Sequence, residues 1–213
     1  MDVRLIGLTQ AVDEEKMPEF LAAKAAGVCV GRDASVRGLA TALASGHESV
    51  IEHIAFTFEI MGISRVTLAQ LTRHRMASFS VESQRYVMQE ERDAVVPVSI
   101  SQNVGAAKVF ETACKEAQAA YERMIEMGVP REDARYILPE GMQTHVVLTM
   151  NARELRHFFA LRCCKKAQWE IREMAERMLK ICKKQCPTLF ENAGAPCKRG
   201  KCPETRPCKG AEK

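Results

Sequence analysis

The 213-residue chain has the makeup of a water-soluble globular protein, 46% hydrophobic and 27% charged, and no apolar run reaches membrane-spanning length. Its net charge of +4 lies wholly in residues 198–213, which hold six Lys/Arg and two Glu, so the rest of the chain is near neutral. That placement argues against nucleic-acid binding, which draws its basic excess from a folded face. The first ten residues carry Asp2 and Arg4 with no signal-peptide core, so the chain reads as cytoplasmic. An odd count of nine cysteines points to reduced thiols rather than a secreted disulfide framework.

Val3, Leu5 and Leu8 suggest a first strand, and an Ala-rich helix over residues 18–26 ends near Gly27. A short amphipathic helix over residues 37–44 stops at Gly46. Residues 53–61, HIAFTFEIM, are aromatic and β-branched and predict a strand. Residues 63–76 lack Gly and Pro and predict a helix, and residues 78–87 a loop entering a strand. A long Ala/Glu/Lys-rich helix is expected over residues 105–127, closed by Gly128 and Pro130, with a short helix over residues 131–137. Residues 144–150, THVVLTM, form a third strong strand signal. Asn151 followed by Glu154 is a capping-box start for the next helix, and residues 168–184 make the last one. Strands and helices mix without βαβ alternation. The expected class is α+β, a mixed or antiparallel central sheet flanked by long helices. Residues 1–191 read as a single catalytic domain and residues 192–213 as a flexible basic tail holding Cys197, Cys202 and Cys208. Their spacing matches no zinc signature, and no metal site is expected.

The densest polar cluster is QLTRHRMASFSVESQR, residues 70–85, with three Arg, one His, three Ser and two Gln. On a helix Gln70, Arg73 and His74 would share one face. Arg forks beside hydroxyls suit phosphate, through charge-assisted bidentate bonds. Neither a P-loop nor a GxGxxG is present.

Arg73-His74-Arg75, seven residues and then Ser83 resemble the RHRx7S signature of the flavin-dependent thymidylate synthases. Gly46-His47-Glu48-Ser49 with Glu52-His53, Ser83-Gln84-Arg85-Tyr86, Val129-Pro130-Arg131 with Ala134-Arg135 and Leu138-Pro139, and Asn151-Ala152-Arg153 with Leu161-Arg162 and Ala167-Gln168-Trp169-Glu170 resemble further blocks of that family, in its order. The resemblance implies reductive methylation of dUMP to dTMP. Methylene-tetrahydrofolate would supply the carbon, and tightly bound FAD, reduced by NADPH, the hydride. It also implies a homotetramer with shared active sites and no cysteine nucleophile. The same motifs also suit two other outcomes: a flavoenzyme with a different one-carbon product from dUMP, and a non-catalytic flavin- or nucleotide-binding relative. Retention of Ser83, Arg85, Arg135 and Arg162 together speaks against the second.

By the same resemblance Arg73, His74, Arg75, His47, Ser49, Asn151, Ala152, Arg153 and His157 are FAD positions, with Val81 also beside the cofactor. The nucleotide site would comprise Gln70, Leu71, Thr72, Arg73, Val81, Glu82, Ser83, Gln84, Arg85, Arg135 and Arg162. Arg162 matches the residue that activates the uracil by favouring ionisation of its ring N–H; a fixed cation suits that role physically. Two positions depart from the pattern. Val81 stands where members often have Gln or Glu, so only its backbone can hydrogen-bond, and His157 stands where some have Asn. On a regular helix Arg153 and His157 share a face, while Arg162 lies about opposite Arg153.

Overall fold

A computed structural model describes residues 1–12, 17–89, 94–198, 200 and 202–208. The chain runs β1 (Asp2–Leu8), α1 (Glu19–Cys29), α2 (Val36–Ala44), β2 (Ala55–Ser64), α3 (Arg65–Leu71) and β3 (Ala77–Val81). It continues with α4 (Val98–Ser101), α5 (Val104–Glu126), α6 (Arg131–Ala134), β4 (Gln143–Asn151), α7 (Ala152–Arg162), α8 (Trp169–Gln185) and α9 (Pro187–Phe190). Short 3₁₀ turns cover Glu48–Ile51, Arg135–Ile137 and Pro196–Lys198. The four strands form one sheet in the order β1-β2-β4-β3.

End contacts give the strand directions. Thr9 N donates to Ala55 O at 3.0 Å, while Gly62 lies against Met1, so β1 and β2 run oppositely. Arg65 N donates to Met142 O at 3.2 Å and Ala152 N to Ile54 O at 2.7 Å, so β4 also opposes β2. The class is α+β, as expected. No helix among the described residues is long and apolar enough to cross a membrane.

By packing, the chain divides into two compact units, residues 1–2, 60–72 and 80–146, and residues 3–59, 73–79 and 147–208, each strand lending residues to both. The first unit buries Ile60, Ile63, Leu71, Tyr121, Ala134, Met142 and Val146. Tyr121 Oη accepts from Gln89 N at 3.3 Å, and Gln118 Nε2 donates to Gln89 O at 2.9 Å, satisfying backbone that the core removes from water.

The second unit is built around aromatic rings on β2, α7 and α9. Phe56 meets Phe190 edge-on at 5.4 Å, Phe190 meets Phe159 at 6.0 Å and Phe159 meets Phe158 at 5.6 Å. Met174, Met178, Cys182 and Leu189 close this core. Glu19, 3% exposed, accepts from Thr188 Oγ1 at 2.9 Å and from Leu189 N at 3.2 Å, tying α1 to the start of α9. In the expected tail, Ala193 and Ala195 are buried and Lys166 pairs with Glu204 at 2.7 Å.

Most expected elements appear within a few residues, with two corrections around the polar cluster. The helix expected over residues 63–76 is only Arg65–Leu71. Ile63 and Ser64 still belong to β2, and Ser64 Oγ caps the helix by accepting from Thr67 N at 3.1 Å. After Thr72 the backbone leaves the helix, and Arg73, His74 and Arg75 are exposed, buried and exposed in turn, a period-two pattern. Gln70, Arg73 and His74 therefore do not share a helix face. The loop expected from residue 78 is instead β3, and the turn follows it. Ala77, Phe79 and Val81 alternate with exposed Ser78 and Ser80, the half-buried strand pattern. Helix α4 and the short α9 carry no periodic signal long enough to read.

Candidate active site

In the second unit His74 is the centre of a polar chain. Its side chain is 5% exposed, and Nδ1 lies 3.2 Å from Glu154 Oε1. Arg162 Nε donates to His74 Nε2 at 3.0 Å. The His74 ring meets Phe158 edge-on at 4.8 Å and His157 at 6.3 Å. Burial pushes His74 below the ordinary imidazole range; Arg162 and His157 push the same way, and Glu154 opposes them. Burial, then the charge of Arg73, also lowers Arg162, yet a guanidinium stays cationic at neutral pH.

Local sequence explains the placement. The turn that follows α3 buries His74 and leaves Arg73 and Arg75 exposed. Asn151 Oδ1 caps α7 by accepting from Glu154 N at 2.9 Å. Glu154 itself meets His74, while Arg162 ends the same helix. His74 thus touches the first and last turns of α7, so residues on different helix faces converge on it without sharing one.

Beside this chain lies a cavity of about 490 Å³ lined by Asn151, Arg153, Glu154, Arg156, His157 and Met76, among others. Its Glu48 and Glu52 are matched by cations: Arg156 Nε donates to Glu48 at 2.9 Å, and Arg153 Nη1 pairs with Glu52. Of the expected flavin positions, Asn151, Arg153 and His157 line this cavity. Ser49 and His47 are exposed and line two other depressions. Ala152 is fully buried, which leaves only its backbone for a ligand. The sequence assigns no site role to Glu48, Glu52, Glu154 or Arg156. The capping spacing marks Glu154, but a helix over residues 63–76 does not bring it to His74.

In the first unit the turn after β3 holds Glu82, Ser83, Gln84 and Arg85 of the expected nucleotide residues, and Arg73 and Arg162 belong to the second unit. Ser83 Oγ accepts from Arg85 N at 3.2 Å, fixing the turn. Arg65 Nη2 donates to Glu82 O at 3.1 Å. Arg85 Nε donates to Glu132 Oε2 at 2.7 Å, and Arg135 Nε to the Glu132 carbonyl at 3.1 Å, so Glu132 draws both guanidiniums to one residue. Arg131 Nη1 donates to Tyr86 O at 2.7 Å. The Arg85–Glu132 pair is about half exposed, the kind that contributes roughly 0–1 kcal/mol and yields readily to a competing phosphate. Val81 and Gln84 are half-buried and Leu71 fully buried; Thr72 is exposed, with Oγ1 donating to Leu68 O at 3.1 Å. Gln70 Nε2 reaches back to Val66 O at 3.4 Å.

The thiols are set for packing. Burial pushes Cys163 and Cys186 up to about 12 and Cys182 well above its ordinary value, so all three stay protonated at neutral pH.

A family model described as thymidylate synthase complementing protein matches residues 10–188. The flavin-dependent thymidylate synthase of Geobacter sulfurreducens is 51% identical over 161 residues, 75% of this chain and 69% of its own. That of Nitratidesulfovibrio vulgaris is 46% identical over 175 residues, 78% of this chain and 71% of its own. That of Clostridium tetani is 42% identical over 175 residues, 75% and 70% respectively.

Proposed function

Because the chain belongs to the thymidylate synthase complementing protein family and carries out flavin-dependent thymidylate synthesis, we propose that its flavin is FAD, its nucleotide dUMP, its carbon donor methylene-tetrahydrofolate and its reductant NADPH. The observation that carries this reading is the contact of Arg162 with buried His74, which anchors a cation by one nitrogen. FAD brings a pyrophosphate, and the exposed guanidiniums of Arg73, Arg75 and Arg153 are the donors it needs. Glu48 and Glu52 of the cavity already have cationic partners, and Glu154 is turned to the His74 ring, so the donor set fits. His47, Ser49, the Val81 backbone, Asn151, the Ala152 backbone and His157 complete the proposed FAD set, with His74 supporting it from below.

When bound and reduced, the flavin supplies the hydride that turns the transferred methylene into a methyl group. Arg85 and Arg135 hold the nucleotide phosphate, and Ser83 keeps their turn in shape and hydrogen-bonds to the same group. Gln70, Leu71, Thr72, Arg73, Glu82 and Gln84 frame the nucleotide. Arg162 stabilises the ring after loss of its N–H proton, making the carbon that receives the methylene more electron-rich. Residues 1–191 carry these roles, and Cys197, Cys202 and Cys208 take no part.

We propose a cytoplasmic homotetramer. Its support is the apolar surface each chain leaves uncovered: Ile6, Val28, Met76 and Leu161 on one unit, Met127 and Tyr136 on the other. Purified protein should be yellow with a flavin spectrum and should scatter light as a tetramer. A colourless monomer that takes up no added FAD contradicts this assignment.

A further inference from the structure

We propose that Glu154 is a positioning residue: by accepting a hydrogen bond from His74 Nδ1–H, it fixes the imidazole tautomer whose bare Nε2 holds Arg162 in place. The inference rests on the role given to Arg162 above. It starts from hydrogen-bond chemistry. An arginine Nε always carries hydrogen and only donates. The 3.0 Å contact from Arg162 Nε to His74 Nε2 therefore requires a lone pair on Nε2. A neutral ring has one N–H, which then belongs to Nδ1, facing a carboxylate oxygen at 3.2 Å.

The surroundings hold this arrangement. His74 is 5% exposed and Glu154, at the cavity's edge, 14%. A protonated ring would set Nε2–H against Arg162 Nε–H. The charged and titratable groups facing His74 are Glu154, Arg162 and His157, all on α7, with Arg73 acting on Arg162 behind them. Burial, Arg162 and His157 favour the neutral ring, and Phe158 fixes its plane from the edge. Glu154 is itself fixed, since its backbone N–H is held by Asn151 Oδ1. The ordered start of α7 is thus relayed through His74 to the guanidinium at its end. A carboxylate that selects a histidine tautomer for the group beyond is a known catalytic device.

The test uses protein labelled with ¹⁵N-histidine, with His74 assigned by difference from His74→Gln. Wild-type protein should show protonated Nδ1 and bare Nε2 on His74. Glu154→Gln keeps an accepting oxygen, so it should retain that tautomer and a near wild-type rate of dUMP-dependent flavin reoxidation. Glu154→Ala should shift His74 toward the Nε2–H form and slow that reoxidation about 10- to 100-fold, the range seen when a carboxylate that orients a metal-bound histidine is lost. Its flavin reduction by NADPH and its flavin affinity should match those of the Gln variant. A wild-type Nε2–H tautomer overturns the proposal whatever the activity. So does a Glu154→Ala protein with an unchanged tautomer, or a slow rate explained by lost flavin. Should Glu154→Ala fail to fold, the wild-type and Gln tautomers decide alone. A wild-type protein that forms no thymidylate defeats the role given to Arg162 and leaves the tautomer result standing.

Discussion

Replacing Arg162 with alanine is expected to slow reoxidation of the reduced flavin by methylene-tetrahydrofolate and dUMP by about 10²–10³-fold, or about 3–4 kcal/mol, the usual cost of one preorganised electrostatic partner. Reduction of the flavin by NADPH should change far less, because it needs no ionised uracil. Arg162 Nε is occupied by His74, so the cation is aimed before substrate arrives. Lysine at this position should not rescue, since it lacks a planar fork that can hold His74 and still face a ring. Ser83→Ala should behave differently. Its hydroxyl accepts from Arg85 N, so its loss costs roughly 1–3 kcal/mol, expressed mainly as a raised KM for dUMP. Stopped-flow traces of both half-reactions separate the two roles. If Ser83→Ala abolishes chemistry and Arg162→Ala only raises KM, the roles are reversed.

The second large effect is on stability. Phe158 is fully buried, packed edge-on against His74 at 4.8 Å and Phe159 at 5.6 Å. Phe158→Ala should destabilise the protein by about 3–5 kcal/mol through lost burial and an unfilled cavity. That is a large share of the roughly 5–15 kcal/mol that holds a domain folded. Phe158→Leu should cost far less, because it keeps most of the volume. Denaturant melts of the two variants check this; equal and small losses would mean the aromatic core relaxes around the gap.

What the sequence made legible divides by mechanism. Strands such as β4, with burial alternating along Gln143–Asn151, and long helices such as α5 and α8 follow from periodicity, caps and glycine stops. Gly46 and Gly128 end their helices with positive φ of 81° and 83°, as their positions foretold. Around residues 63–81 a run without Gly or Pro reads as helix, yet the helix covers only Arg65–Leu71. Ser64, a capping residue, and the A-S-F-S-V alternation held the opposing signal. The motif residues were recognisable by type and order, but their partners were not. Glu132 meets Arg85 across 47 residues, Glu154 meets His74 across 80 and Arg162 meets His74 across 88. Such pairings depend on which side of the backbone each residue leaves, and that is set by tertiary packing. Leu71 and Ala152 show the same limit, since motif position alone cannot tell a buried side chain from a contacting one.

Thymidylate formation by a flavin-borne hydride can be followed in a single anaerobic turnover. Enzyme whose flavin has been reduced is mixed with dUMP and methylene-tetrahydrofolate, together and each alone, and the quenched nucleotide is identified by mass. dTMP is expected only in the complete mixture, in proportion to the flavin reoxidised. Reoxidation without dTMP, dTMP formed without flavin, or a hydroxymethylated nucleotide as the product would contradict it.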